Sequence, residues 1–271
     1  MDYNNKLKAT FINPAAGNHA SLPLISCLCV TYGKPLLLKR AIACFMEQTY
    51  PRKELVIVVE YDDLLTRDFL ENKDYPNFIK VVTVSSALKK PLGELRNISV
   101  QEASGEYVCQ WDDDDWYNIS RLEKQYEVIR ESGKAGSILT RWMLYDGNTG
   151  KAYISHKRNW EGSLMCNKQI LADHKYEKVA RGEDTAVVEG LYDKGQLAII
   201  GNMPGLYIYT WHGGNTWNYD HFKEIFFCSQ ELESYSERIK HILTECASPA
   251  EGSFVLAGIL KEEMIVNPIN W

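Results

Sequence analysis

Apolar positions along this chain form two kinds of run. Residues 24–30, 55–59 and 79–84 are short unbroken apolar blocks with the length of buried strands. Between them the spacing changes to threes and fours. Leu38, Ile42 and Phe45 mark a helix that Pro51 closes, and residues 92–103 mark another. The first block stops at Thr31-Tyr32-Gly33-Lys34-Pro35, which is turn chemistry, and the second ends in Glu60-Tyr61-Asp62-Asp63. A fourth strand, residues 106–111, runs straight into Asp112-Asp113-Asp114-Asp115. Strands and helices alternating at this spacing predict βαβ units and a mostly parallel sheet. Burial on both faces explains why the strands are continuously apolar. Ligands of such sheets bind beyond the carboxyl ends of the strands, where three polar clusters of this sequence fall.

The second half is more mixed. Ser120 and Glu123 have capping-box spacing ahead of a helix with Leu122, Tyr126 and Ile129 on one face. Strand-like runs follow at 137–145, 152–155, 195–200 and 206–209. Residues 221–245 carry one amphipathic helical pattern through Phe222, Ile225, Phe226, Leu232, Ile239 and Leu243. The apolar tail, 254–260 and 264–266, has three candidate coverings: the body of the domain, a second subunit in a homodimer, or a membrane surface. Residues 1–22 lack periodicity and read as an irregular leader.

Composition narrows the class. A chain of 271 residues is one large domain or two small ones. With 45% hydrophobic and 24% charged residues it is neither disordered nor fibrous. Acids outnumber bases 36 to 30, which argues against a nucleic-acid partner. No run approaches the ~20 apolar residues of a membrane span, and the first residues show no signal-peptide pattern. The seven cysteines are odd in number and make no CxxC pair, so they read as reduced core thiols. These features predict a cytoplasmic protein, with peripheral contact at the inner face of a membrane left open.

Asp112 to Asp115 carry the strongest chemical signal. Four adjacent carboxylates repel one another and call for positive compensation. Mg²⁺, which takes one or two carboxylates plus substrate phosphates, and Mn²⁺, which accepts the same ligands, are the natural candidates. A solvated acidic turn or a Ca²⁺ loop is the plainer alternative. The flanking Trp111, Trp116 and Tyr117 argue against mere solvation.

Five ordered blocks then resemble family 2 glycosyltransferases of the GT-A fold. They are residues 25–33, residues 55–63, Gly93-Glu94-Leu95-Arg96-Asn97, Gly105 to Asp115, and the pair Trp160-Glu161-Gly162-Ser163 and Gly182-Glu183-Asp184-Thr185. The resemblance covers about residues 24–217. It implies an α/β fold with a Rossmann-like, mostly parallel central sheet flanked by helices, a mixed acceptor-side half and a helical C-terminal extension. The implied divisions are 23–117 for the nucleotide, 118–220 for the acceptor and 221–271 for the extension.

The resemblance also implies roles. Thr31, Tyr32 and Gly33, with the turn from Glu60, would hold the nucleotide. Many members have Asp-Asp-Gly-Ser at that turn, so here the base contact falls to Glu60 or Asp62. Arg96 would lie under the nucleotide beside a DXD motif, Asp112-Asp113-Asp114. Asp114 would bind the metal and Asp112 would lie nearer the ribose. Asp184 would be the base of an inverting enzyme, with Glu183 as its acceptor-side neighbour. His212, in a His-Gly-x-Asn-Thr-like segment, would help hold metal or diphosphate. Trp160, Trp211 and Trp217 offer faces for sugar stacking, although each suits a core equally. Without the upstream motif, Asp184 reads as a helix-start acid.

The resemblance therefore implies transfer from a nucleotide-sugar, a UDP-sugar first, to a hydroxyl of a glycan, lipid-linked sugar or protein. Two other readings stand beside it. A sugar-1-phosphate nucleotidyltransferase would need a longer Gly-rich loop after the first strand. A non-catalytic glycan- or Ca²⁺-binding module would not need Asp184.

Overall fold

A computed structural model of the protein describes residues 21–85 and 88–266, so the 1–22 leader lies almost wholly outside the described residues. The first half alternates as expected: β1 (Ile25–Thr31), α1 (Pro35–Met46), β2 (Lys53–Glu60), α2 (Leu64–Glu71), β3 (Ile79–Val84), α3 (Leu92–Glu102) and β4 (Tyr107–Gln110). Pro35 opens α1 at a position where a missing N–H costs nothing. Helix α2, which the periodicity missed, is capped by the Asp63 carboxylate, which accepts from the Thr66 N–H at 3.1 Å.

The second half follows with β5 (Trp116–Tyr117), α4 (Arg121–Ser132), β6 (Gly136–Leu139), β7 (Met143–Asp146), β8 (Lys151–Ile154), β9 (Met165–Asn167), α5 (Lys168–Asp173), α6 (Thr185–Asp193), β10 (Leu197–Ile200) and β11 (Tyr207–Trp211). The chain ends in α7 (Tyr219–Phe227), β12 (Gln230–Glu231), α8 (Ser236–Thr244) and α9 (Pro249–Val266).

Among the described residues the strands form two sheets. The larger has the order β10-β6-β9-β4-β1-β2-β3, with β9 antiparallel to its neighbours and the rest parallel. Alternate residues of β1 and β2 feed two cores. Cys27, Cys29, Leu55, Ile57 and Val59 pack on one side, and Leu28, Val56 and Val58 on the other. Strand order runs outward from β1 to β3 and then reverses to β4. That switch point lies between β1 and β4. The smaller sheet, β12-β8-β7-β11-β5, begins directly after the acidic run.

Several expectations need correction. Strand β3 is not buried on both faces: it is the sheet's edge, and Val81 is exposed. The 137–145 run divides into β6 and β7, which belong to different sheets. The 221–245 pattern is two helices, because Gln230–Glu231 leaves to pair with β8. The capping box does not form. Ser120 Oγ bonds Asn118 Oδ1 at 2.9 Å, and Glu123 accepts from Thr49 Oγ1 at 2.7 Å.

The described part of the tail packs in part on the body of the protein, and the side chains of 264–266 lie outside the described residues. Leu256 and Ile259 of α9 are fully buried, and Ile119 N–H donates to Ser253 Oγ at 3.1 Å. Phe254 faces outward. No described helix is long and apolar enough to cross a membrane. All seven cysteines are unbridged, and five are buried.

Candidate active site

The ends of β1 and β4 bring the first and third polar clusters together. Gly33 has φ +70°, a left-handed turn that favours glycine, and its N–H donates to Asp63 Oδ2 at 2.6 Å. This bond ties the turn after β1 to the cap of α2 and presents Lys34 to the acidic run. Lys34 Nζ lies 3.0 Å from Asp113 Oδ1 and 2.7 Å from Asp114 Oδ2. Burial works to lower the Lys34 pKa, but Asp114 and Asp113 outweigh it and hold the ammonium well above its usual value.

The four carboxylates have different surroundings. Asp112 is partly exposed and receives Arg96 Nη2 at 3.0 Å. Asp113 is buried, and its Oδ2 has no hydrogen-bond partner among the described residues. Burial and then Asp114 push its carboxyl up to about 6. Asp114 also accepts from His212 at 3.0 Å. Burial opposes its ionisation, but Lys34 and His212 hold its carboxyl well below the usual range. Asp115 turns away into the core, where it takes the Tyr207 hydroxyl at 2.5 Å and the Thr210 N–H at 3.1 Å. Burial, then Asp114 and Asp112, raise its pKa well above the usual value.

Helix α3 carries Arg96 between two walls. Its Nε donates to Glu183 Oε1 at 2.6 Å while Nη2 reaches Asp112. Burial alone would lower the guanidinium's pKa, but Asp112, Glu183 and Asp184 more than reverse this. The approach depends on Gly93. A Cβ there would sit 1.7 Å from the Glu177 carbonyl oxygen, so only glycine lets α3 start against the 177–183 segment. Asp184 stands at the N-cap of α6, yet its side chain makes no capping bond. It receives Gln110 Nε2, from the end of β4, at 3.3 Å.

His212 follows β11 in a loop closed by Asn215, whose side chain bonds the His212 N–H at 2.9 Å and the Thr210 carbonyl at 2.9 Å. Gly214 N–H donates to His212 Nδ1 at 3.3 Å. That bond assigns the ring proton to Nε2, which then donates to Asp114. Ligating a cation through Nε2 would require the proton to leave it.

One cleft joins these groups. It encloses about 1030 Å³ of space, part of it open to solvent, and its walls include Lys34, Arg96, Asp112, Asp113, Asp114, Glu183 and Asp184. Trp160 and Trp217 also line it. Trp211 does not: it is buried against Tyr219 and Phe222, at 5.1 and 4.9 Å between ring centroids. His212, Thr31, Tyr32, Gly33, Glu60 and Asp62 are not on its walls either. Glu60 is buried beside the Lys90 N–H at 2.9 Å, and its Oε2 has no partner among the described residues. Asp62 is exposed, and its side chain accepts from the Tyr32 hydroxyl at 3.4 Å.

Sequence reading missed several cleft residues. Lys34 stood in the recognised turn, and Gln110 stood in the recognised strand. Trp142, Arg158 and Arg181 carried no local signal. Trp142 stacks between Tyr207 and Trp160, at 4.2 and 4.7 Å.

Comparison with known proteins places this geometry. The family described as Glycosyl transferase family 2 matches residues 26–184. The uncharacterized glycosyltransferase MJ1057 of Methanocaldococcus jannaschii is 25% identical over 181 residues, 60% of this chain and 62% of that protein. The putative teichuronic acid biosynthesis glycosyltransferase TuaG of Bacillus subtilis is 28% identical over 116 residues, 42% of this chain and 45% of that protein. The chain thus spans less than two thirds of either curated relative. Among solved structures, S. aureus TarS 1-349 in complex with UDP-GlcNAc superposes with a TM-score of 0.59 at 17% identity, covering 91% of this chain and 74% of that one. The mannosyltransferase PcManGT of Pyrobaculum calidifontis, in complex with GDP-Man and Mn²⁺, gives 0.55 at 12% identity, covering 94% and 80%. At these identities the likeness establishes the GT-A fold.

Proposed function

The chain belongs to glycosyltransferase family 2, and from that premise we propose that it transfers a sugar from a nucleoside-diphosphate sugar to an acceptor hydroxyl with inversion at C1. One observation carries the reading. Arg96 bridges Asp112 on the strand-end motif to Glu183, the neighbour of Asp184, so the acidic motif and a carboxylate free of capping duty face the same cleft.

A divalent cation fits the donor set. Asp112 and Asp114 offer hard oxygens at the cleft, His212 stands beside them, and Asp113 keeps a buried oxygen without a partner among the described residues. When bound, Mn²⁺ or Mg²⁺ supplies Lewis-acid stabilisation of charge on the departing diphosphate. The chain's own residues do the rest. Asp184, steadied by Gln110, takes the proton of the acceptor hydroxyl. The acceptor oxygen then bonds to C1 as the C1–O bond to phosphate breaks, and the diphosphate leaves with that electron pair. Glu183 is spent on Arg96 and is not the base. Trp160 and Trp217 supply apolar faces for sugar rings.

For the nucleotide, the orphaned oxygen of buried Glu60 favours it over exposed Asp62 as the base contact. Thr31, Tyr32 and Gly33 stand on the same side. The TarS and PcManGT structures hold UDP- and GDP-sugars respectively, which supports a nucleotide-sugar donor while leaving two bases in play. UDP is the first choice, and the acceptor is a glycan, a lipid-linked sugar or a protein. Only three residues, 32–34, join β1 to α1. That turn is too short to cradle a triphosphate, so the nucleotidyltransferase reading loses ground.

The test is a calorimetric and thermal-shift panel of UDP, GDP, CDP and dTDP with Mn²⁺, Mg²⁺ or EDTA. One diphosphate should bind selectively, and binding should vanish with EDTA and in Asp114→Ala. Asp184→Asn should keep that binding and lose about 10²–10⁴-fold in turnover. Binding of none of the four, or full turnover in Asp184→Asn, overturns the reading.

A further inference from the structure

The cleft wall beyond Asp184 carries basic side chains. Arg158 and Arg181 line it, with His221, while Arg141, His156 and Lys157 flank Arg158. Among the described residues, Arg141, Lys157 and Arg181 have no carboxylate within 4.0 Å. Arg158 alone is paired, with Glu161 at 2.7 Å. Arg141 instead donates to the Ser155 carbonyl at 3.1 Å.

The wall also carries rings. Trp217 is 37% exposed, with His221 stacked on it at 4.4 Å and the Arg181 guanidinium 5.6 Å from its ring centroid. A second ladder, from Tyr207 through Trp142 and Trp160 to Arg158, has steps of 4.2, 4.7 and 4.8 Å. Tyr207 bonds the acidic motif, so the ladder measures the separation of this wall from the donor side. An exposed indole beside an unpaired guanidinium presents a flat apolar face and a fork of donors side by side. That pairing suits a sugar ring bearing a carboxylate or phosphate. Both nearby histidines report the same field. Burial first, and then Arg158, hold His221 below its usual value. His156 is lowered by burial, Arg158 and Arg141.

The geometry points to an anionic acceptor: a saccharide or polyol chain carrying carboxylates or phosphates, held by Arg181 and Trp217 with its hydroxyl turned to Asp184. This assignment rests on the glycosyltransferase reading and adds the acceptor's chemical class. It also answers an electrostatic difficulty. An anion approaching a cleft that already holds Asp184 and a diphosphate needs a local cation, and Arg181 lines the cleft with no carboxylate within 4.0 Å among the described residues.

The full chain, saturated with Mn²⁺ and the nucleoside diphosphate that binds it, is titrated by calorimetry with three probes. These are a tetragalacturonate, a glycerol-phosphate tetramer and neutral maltotetraose. At least one anionic probe should bind about tenfold or more tightly than the neutral one, and the arm that wins names the anion. Arg181→Gln, a change at an exposed side chain, should erase most of that preference and leave nucleotide affinity unchanged. Equal binding of charged and neutral probes, binding of none, or a preference that survives Arg181→Gln overturns the assignment. Weakened nucleotide binding in Arg181→Gln also overturns it, by giving the guanidinium to the donor. A wild-type chain that binds nucleotide but shows no anion preference refutes this inference alone. One that binds no nucleotide refutes the reading beneath it.

Discussion

Arg96→Met tests how the site is held together. The substitution keeps an unbranched side chain of similar length and removes the guanidinium from between Glu183 and Asp112, at 2.6 and 3.0 Å. The two acids then fare differently. The Asp112 side chain is 27% exposed and can rehydrate, whereas that of Glu183 is 3% exposed and cannot. Breaking a buried pair by removing one partner costs about 3–5 kcal/mol. At about 2–4 °C per kcal/mol for a domain of this size, that is a fall of roughly 6–20 °C in melting temperature. Urea unfolding gives the free energy directly. Burial already raises the Glu183 carboxyl, with Arg96 pulling against it. Without Arg96 the pKa rises further, so the folded state holds a proton that the unfolded state releases. Stability is then greatest at low pH and is lost as pH climbs through the folded pKa, and the deficit of the variant should be larger at pH 8 than at pH 5. Arg96→Met/Glu183→Met replaces the pair with apolar groups. It should recover most of the stability, lose the pH slope and remain inactive. A single-variant deficit under about 1 kcal/mol, or a double variant no more stable than the single, refutes the reasoning.

Two further comparisons separate core from site. Trp211→Ala should cost about 3–5 kcal/mol in urea unfolding, because the ring fills the core beside Phe222, while Trp217→Ala should stay within about 1 kcal/mol. Leu256→Ala should cost about 2–5 kcal/mol and Phe254→Ser under about 0.5, since α9 buries the first and exposes the second.

The sequence was legible where one local signal sufficed. Strands β1 and β2 are buried on both faces, so their unbroken apolar runs meant what they seemed to mean. The same pattern in β3 misled, because position at a sheet edge is set by the other strands and not by its own residues. Helix α2 buries only Thr66 and Leu70, too few for a periodicity, and its real signal was the Asp63 cap. Residues 221–245 kept helical spacing across a break, since the pull of β8 on Gln230–Glu231 comes from about 75 residues away. The acidic motif was visible because four like charges at a strand end need an explanation. Arg96 and Glu183 were singled out by resemblance, but their ion pair spans 87 positions and no local pattern encodes it. Trp211 was left open between cleft and core for a related reason: a tryptophan in a strand looks the same whichever it faces.

The division of labour among the four acids has a consequence for how a cation enters. Asp115 is turned into the core with its pKa raised, so Asp112, Asp113 and Asp114 are the acids that face the cleft. Arg96 answers the first at 3.0 Å, and Lys34 answers the other two at 3.0 and 2.7 Å. Resident cations thus already stand against the acids before any ion arrives. A divalent cation entering alone would add charge beside an ammonium already bonded to its ligand, whereas one arriving with a diphosphate brings compensating negative charge. The two should therefore bind cooperatively. Mn²⁺ titrations followed by electron paramagnetic resonance, with and without UDP or the preferred diphosphate, should differ in affinity by at least about tenfold, within the usual range of coupling between sites. Lys34→Met should narrow that gap by raising the affinity of the nucleotide-free protein for Mn²⁺. If Mn²⁺ binds the free protein as tightly as the nucleotide complex, or if Lys34→Met weakens it, the ammonium is not acting as the resident counter-charge.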